Sequence, residues 1–393
     1  MVDTSTVNFQ DTKTAFEWRN DAELRKTYAL FAMMGSPALV KLGTSALNFA
    51  FALRLPIKGI VKKTLFRQFC GGENIEDSAN TIGVLGKYNI GSILDYSVEG
   101  AETDKSFDQT VEEILKTIEE SSKDKNIPFS VFKLTGIAKI SLLEKVHAKE
   151  TLTTDEQEQW EKVVKRVELL CETAYQKDVR IFIDAEETWM QGPVDELALE
   201  MMRRFNKEKA IVYNTYQMYL HSKLAQLKED FERAETEGFI LGVKLVRGAY
   251  MEKEAARAQK MNYRNPVQPS KEATDKDYDA ALEYIMENHK GFALCAGSHN
   301  EKSNLLLVEL LNRYGITTDH PNFFFAQLFG MSDHISFNLS HAGYNVAKYL
   351  PYGPVKEALP YLFRRAEENT SVAGQASREL TLVQNELKRR SQK

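Results

Sequence analysis

Cysteine is nearly absent from this chain. Cys70, Cys171 and Cys295 are the only three in 393 residues, far apart and without CxxC spacing. That argues against a disulfide framework and a structural zinc, and it fits a reducing compartment. Long apolar runs are missing too: the most apolar stretch, Ala46–Leu53, is far too short to span a bilayer and is flanked by Lys41 and Arg54. At the start, Asp3, Asp11 and Glu17 stand where a signal peptide needs a basic and then an apolar region. The start is also neither Arg-rich nor poor in acids, as a mitochondrial transit peptide would be. The expectation is a cytoplasmic protein, peripheral to the inner face of the membrane. Excess positive charge is lacking, and a net charge of −5 argues against a nucleic-acid binder. No GxGxxG follows any β-rich run, which counts against a Rossmann fold. There is no internal repeat and no low-complexity tract.

One local shortage is informative. From Tyr28 to Phe69 there is no acidic residue, and apolar residues are broken by Lys41, Arg54, Lys58, Lys62, Lys63 and Arg67. The stretch reads as two or three short helices separated by Gly35-Ser-Pro37 and Pro56. Two readings are open and compatible: a helical cap on the main domain, or a basic amphipathic segment on anionic lipid.

What the chain has in abundance is alternation. With 43% hydrophobic and 27% charged residues it has an ordinary globular composition. After Cys70-Gly-Gly72, β-rich runs recur at Ile90–Tyr96, Phe129–Leu134, Arg180–Asp184, Ala210–Tyr213, Ile240–Val246, Phe292–Cys295, Asn322–Gln327 and Asn345–Leu350. Helical patterns lie between them, at Val111–Ser121, Asp155–Tyr175, Val194–Phe205, Gln217–Glu237, Glu252–Met261 with Asp277–His289, Glu301–Tyr314, near Met331–Leu339, and Val355–Asn369. Thr154-Asp-Glu-Gln157 fits a capping box. Eight such units predict an α/β fold, a distorted (βα)8 TIM-like barrel with an N-terminal helical segment. The expected division is 1–72 as arm or cap, 73–375 as barrel, and 376–393 as a helix with the basic tail Lys388-Arg-Arg390.

In such a barrel the site lies at the C-terminal ends of the strands. There stand Asp95 with Glu99, Lys133, Asp184-Ala-Glu-Glu187, Asn214-Thr-Tyr-Gln217, Lys244 with Arg247-Gly-Ala-Tyr250, Gly297-Ser-His-Asn300, Gln327-Leu328 and Tyr349-Leu-Pro-Tyr352. Tyr361-Leu-Phe-Arg-Arg-Ala-Glu-Glu-Asn369 follows on a helix, with Glu368 a turn from both Arg364 and Arg365. Paired guanidinium forks suit a carboxylate or phosphate. Each residue also has a structural reading. Lys133 can snorkel, Asp184 can cap a helix, His299 and Asn300 can be turn residues, and Arg364, Arg365 and Glu368 can form solvated salt bridges. A metal site is disfavoured. HExxH and two-His-one-carboxylate spacing are lacking, and Lys133, Lys244, Arg247, Arg364 and Arg365 would repel a cation. Five cations with several carboxylates at one barrel mouth point to an anionic ligand and a small zwitterion.

The runs KLTGIAK, IDAEE, TYQ, VKLVRGAY, SHN, FAQLFGM and YLFRRAEEN, in this order on successive units, resemble the proline dehydrogenase family from about Asp95 to Asn369. VKLVRGAY is similar to the eukaryotic-type, single-function members, and the chain is too short for a fused aldehyde dehydrogenase. The resemblance implies FAD held non-covalently and oxidation of L-proline to Δ1-pyrroline-5-carboxylate. It further implies electrons passed to a membrane quinone and a separate pyrroline-5-carboxylate dehydrogenase downstream. It assigns Arg364, Arg365 and Lys133 to the substrate carboxylate, and Tyr349, Tyr361 and Leu328 to the pyrrolidine ring with Tyr250 completing the pocket. Asp184 would order the site and Glu99 would pair with Arg364. Gln217, Lys244, Val246, Gly248, Ser298, His299, Asn300 and Glu368 match FAD-contacting positions, Lys244 by residue type only. Tyr349 matches the tyrosine of proline enzymes, where hydroxyproline enzymes carry a smaller residue. Two other classes stay open: a Schiff-base aldolase using Lys133, and a non-enzymatic membrane scaffold using Tyr28–Phe69 and the basic tail.

Overall fold

The computed structural model describes residues 7–53, 58–96, 102–371 and 375–392. Parallel strands covered on both faces are near-continuously apolar, and the runs expected as strands are such segments. They form β1 (Ile90–Tyr96), β2 (Phe129–Lys133), β3 (Arg180–Asp184), β4 (Val212–Gln217), β5 (Leu241–Val246), β6 (Phe292–Gly297), β7 (Phe323–Leu328) and β8 (Val346–Tyr352). These strands make a closed barrel in the order β1 to β8. The fold class read from the alternation is therefore observed.

Departures from the expected boundaries have local causes. β4 starts two residues late and runs on through Asn214-Thr-Tyr-Gln217, a polar stretch that read as a strand exit. Its start is fixed by Asn206, whose Oδ1 accepts from the Ile211 and Val212 amides, each at 2.9 Å. Its polar side chains are all satisfied: Asn214 donates to Asp195, Thr215 to the Ile183 carbonyl and Gln217 to the Glu186 carbonyl. The helix Thr188–Phe205 starts six residues before Val194. Its first turn is met by Glu254 from a distant segment, which accepts from the Thr188 amide and hydroxyl, each at 2.6 Å. The capping box of Thr154–Gln176 lies one residue earlier than read, between Thr153 and Glu156. That register places a carboxylate, rather than an amide, against the positive helix N-terminus. The helix Ile140–His147 was not anticipated.

The chain forms two compact bodies, one of Glu99–Ala326 and one of Ser5–Val98 with Gln327–Lys393. In the first, Phe129, Phe182, Tyr213 and Phe324 fill the space the strands enclose. Phe129 stacks on Phe182 at 4.4 Å between centroids and meets Phe324 edge-on at 4.9 Å. Strand alternation then puts Lys133 on the same face as Phe129, and Asp184 on the same face as Phe182.

In the second body, β1 and β8 pair in parallel, with Ile93 opposite Tyr349. The stretch Tyr28–Phe69 is helical over Asp21–Met34, Pro37–Ala52 and Lys58–Phe69. A break falls at Gly35–Ser36, as expected; Pro56 lies outside the described residues. Met34, Val61, Phe66 and Phe69 share an apolar cluster with Leu359, Tyr361 and Leu362 of the helix Leu359–Ser371. The stretch is therefore helical and packs on that helix. The acid-free stretch is met by acids from outside it: Lys58 and Lys62 both bridge to Glu73, at 2.8 and 2.6 Å, and Arg67 reaches Glu23.

The basic tail is structural. On the helix Gln375–Ser391, Arg389 and Arg390 both pair with Glu386. Arg390 also bonds Asp21 and the carbonyls of Phe16 and Arg19. These arginines staple the C-terminal helix onto the N-terminal arm, which removes most of the tail's charge from the scaffold reading.

Candidate active site

In the first body, register and alternation put many of the expected residues on the inward strand face. Lys133 lies opposite Asp184, Thr215 opposite Lys244, Gln217 opposite Val246, and Lys244 opposite Cys295. Lys244 Nζ is 2.5 Å from Asp184 Oδ1, with both side chains at most 10% exposed. The ammonium also lies 5.5 Å from the Phe182 ring centre. Asp184 therefore neutralises a buried lysine rather than capping a helix.

Gln217 does not hang free at the strand end, because its Nε2 donates to the Glu186 carbonyl at 2.9 Å. Glu186, weighed from the sequence only as a disfavoured metal ligand beside Asp184, is buried. Its Oε1 accepts from the Thr135 amide at 3.0 Å and the Thr135 hydroxyl at 2.7 Å. Burial nevertheless pushes its carboxyl up to about 7. Glu186 thus bridges the turn after Lys133 and the end of β4. A carboxylate two residues beyond a strand-end aspartate was the available signal.

Beyond β5, Arg247 is braced rather than loose. Its Nε donates to Asp275 at 2.6 Å, and its other nitrogens to Ser298 and Ser303 at 2.8 and 2.9 Å. Its guanidinium lies 4.3 Å from the Tyr278 ring centre. Ser298 Oγ in turn accepts from the Asn300 amide at 3.1 Å, and Asn300 caps the helix Glu301–Arg313. His299 sits in this same turn. Gly248 has φ +123°, and a Cβ there would lie 1.6 Å from the Tyr219 ring. No other residue tolerates that backbone and that ring together. Tyr250 begins the next helix as its N-cap, with Lys253 Nζ 5.4 Å from its ring centre.

In the second body, Tyr349 is 7% and Tyr361 8% exposed. Leu328 packs against the cluster that contains Tyr361. The Phe329 amide donates to the Tyr349 carbonyl at 2.8 Å, which links Leu328 and Tyr349 through the backbone. Arg365 is buried, its guanidinium 5.3 Å from the Tyr361 ring centre, while Arg364 is half-buried on the same helix. A solvated salt-bridge face does not describe a buried arginine stacked on a buried tyrosine. Glu99 lies outside the described residues, and Glu368 belongs to the helix Leu359–Ser371 with its side chain undescribed. Among the described residues, no group of three or more His, Cys, Asp or Glu side chains is placed to hold a metal ion.

The fold and these residues define a (βα)8 barrel whose strand ends carry buried cations, carboxylates and tyrosines. The family model described as Proline dehydrogenase matches residues 78–378. The chain belongs to the proline dehydrogenase family. It is 33% identical to "Proline dehydrogenase 1, mitochondrial" of Dictyostelium discoideum, over 97% of this chain and 74% of that protein. It is 34% identical to the Arabidopsis thaliana protein of the same name, over 93% and 83%. Proline utilization A from Bdellovibrio bacteriovorus, solved after inactivation by N-propargylglycine, shares the fold with a TM-score of 0.71 at 19% identity. That likeness covers 93% of this chain and 38% of that one, so the chain spans little more than a third of the solved protein.

The relatives also correct one expectation. The Dictyostelium and Arabidopsis relatives are both named mitochondrial proteins, which overturns the expectation of a cytoplasmic setting. Address signals sit in segments apart from the folded body, so the composition of a folded chain does not report them.

Proposed function

We propose that this chain is an FAD-dependent proline dehydrogenase that oxidises L-proline to Δ1-pyrroline-5-carboxylate. The observation that carries the reading is the charge-bearing inward face of Lys133, Asp184 and Lys244, within a chain of this family. Arg364, Arg365 and Lys133 would hold the substrate carboxylate, since guanidinium forks match it bidentately. Tyr349, Tyr361, Leu328 and Tyr250 would wall the pyrrolidine ring and exclude water, so that the ring carbon next to nitrogen is presented in one orientation. A tyrosine at 349 leaves no room for a 4-hydroxyl, which favours proline over hydroxyproline.

The donor set fits FAD. Gln217, Lys244, Ser298, His299 and Asn300 offer amide, ammonium, hydroxyl and imidazole groups at neighbouring strand ends, and Tyr219 adds a buried hydroxyl with no hydrogen-bond partner among the described residues. These residues, with Val246, Gly248 and Glu368, would hold the group. When bound, FAD supplies the acceptor for the hydride leaving proline. Asp184 would fix the Lys244 ammonium, and Arg247 would brace the turn that carries His299 and Asn300.

Electrons would then pass to a membrane quinone, and a separate pyrroline-5-carboxylate dehydrogenase would take the product. A membrane-facing surface is supported by Met33, Leu39, Leu42, Leu53 and Ile60, all more than half exposed within one stretch. Purified protein should be yellow, release FAD on denaturation, and reduce a dye when given L-proline. Colourless protein that gains neither colour nor stability from added FAD would reject the reading. Borohydride trapping of a substrate on Lys133 would favour an aldolase instead.

A further inference from the structure

The turn between β7 and the helix Asp333–His341 is in an unusual backbone state. Gly330 has φ +78°, and Ser332, which has a Cβ, has φ +52°. A left-handed non-glycine residue persists where its surroundings over-determine it. Here they do. Gln68 Nε2 donates to the Gly330 carbonyl at 2.8 Å. Lys348 Nζ donates to the Met331 carbonyl at 2.7 Å. Glu379 accepts from the Ser332 amide. A Cβ at position 330 would lie 2.0 Å from the Gln68 carbonyl oxygen, so the approach is also closed sterically.

The three holding groups come from three remote stretches and are all buried, at 7%, 0% and 3% exposure. They are themselves fixed. Lys348 bridges to Asp333 at 2.8 Å, Asp333 meets Arg19 at 3.4 Å, and Arg19 reaches Gln68, also at 3.4 Å. Lys348 lies on the opposite face of β8 from its neighbour Tyr349. On one side of the turn is Leu328, and the Phe329 amide is bonded to the Tyr349 carbonyl.

We propose that Gln68, Lys348 and Glu379 are positioning residues that set the substrate wall formed by Leu328 and Tyr349. On this view the N-terminal arm and the C-terminal helix are parts of the specificity apparatus, acting through the backbone at 330–332. The inference rests on the reading of Leu328 and Tyr349 as substrate-facing.

The test uses full-length Gln68→Ala, Glu379→Ala and Glu379→Gln, the last of which keeps an acceptor for the Ser332 amide. Steady-state kinetics are measured on L-proline and trans-4-hydroxy-L-proline, with flavin content and melting temperature for each protein. Small displacements of positioning groups cost up to about 100-fold, so Gln68→Ala and Glu379→Ala should raise KM for proline by at least about fivefold. Their kcat and flavin content should stay near wild type, the proline-to-hydroxyproline ratio should fall, and Glu379→Gln should restore most of the loss. Variants that melt earlier but keep the wild-type KM and ratio overturn the inference and leave a purely structural clamp. Should Glu379→Ala not fold, Gln68→Ala decides alone, because it removes a single neutral side chain. Wild-type protein that does not turn over proline would overturn the underlying reading and this inference with it.

Discussion

Lys244 and Asp184 neutralise one another inside the barrel, at 2.5 Å, with the Phe182 ring beneath the ammonium. A charge buried this way depends on its partner. Lys244→Met removes the ammonium that faces the buried Asp184 carboxylate and should cost about 3–5 kcal/mol. The double variant Lys244→Met, Asp184→Asn should recover part of that loss. Denaturant melts of Lys244→Met, Asp184→Asn, the double variant and the wild type give the coupling directly.

Arg364→Met and Arg365→Met should each raise KM for L-proline at least about tenfold, because removing one member of a charged clamp costs about 2–5 kcal/mol. The two should differ in stability. Arg365 is buried against Tyr361, whereas Arg364 is half-buried, so only Arg365→Met should lower the melting temperature clearly. Unchanged KM in both would reject the carboxylate clamp and leave Arg365 a packing role against Tyr361.

Glu186 should give the stability curve a pH slope. Burial raises its folded carboxyl from 4.5 to about 7, so between those values the folded chain binds more protons than the unfolded chain. Stability from this group is complete below the lower value and is lost as pH rises through about 7. Glu186→Gln removes the slope while its oxygen can still accept from Thr135. Its stability relative to wild type should therefore improve steadily from about pH 5 to about pH 8. A constant difference would place Glu186 in a wetter setting than the enclosed one found.

Vesicle binding should depend on apolar more than on basic residues. Lys58 and Lys62 are engaged by Glu73, whose carboxyl their hydrogen bonds hold down at about 2. Leu42 and Ile60 are 68% and 65% exposed. Leu42→Glu with Ile60→Glu should abolish sedimentation with anionic vesicles while leaving dye reduction in solution intact. Moderate salt should weaken wild-type binding only slightly. Equal sedimentation of variant and wild type would make the segment a cap alone.

The barrel was legible because short β-rich apolar runs and their spacing are local signals, and β1 and β3 begin and end where the sequence puts them. The strand-end positions of Lys133 and Asp184 followed from the same pattern, whereas β8 runs on to Tyr352 and leaves Tyr349 in mid-strand. Partners were not legible. Glu254 meets the start of a helix 66 residues away, Glu73 folds back onto an acid-free stretch, and Arg390 crosses 374 residues to reach Phe16. Lys348 reads as an ordinary strand lysine until the fold sets Asp333 beside it. Such pairings depend on closure of the chain, and no local pattern encodes them.

The scarcity of cysteine acquires a use once the fold is known. All three thiols are free and buried, and burial raises each of them, Cys295 to about 12. Thiol reagents attack the thiolate, so the native chain should be nearly silent towards them. Cys171 and Cys295 belong to one compact body and Cys70 to the other. The order in which the three become reactive is therefore a built-in clock, recording which body opens first as the molecule is heated or denatured.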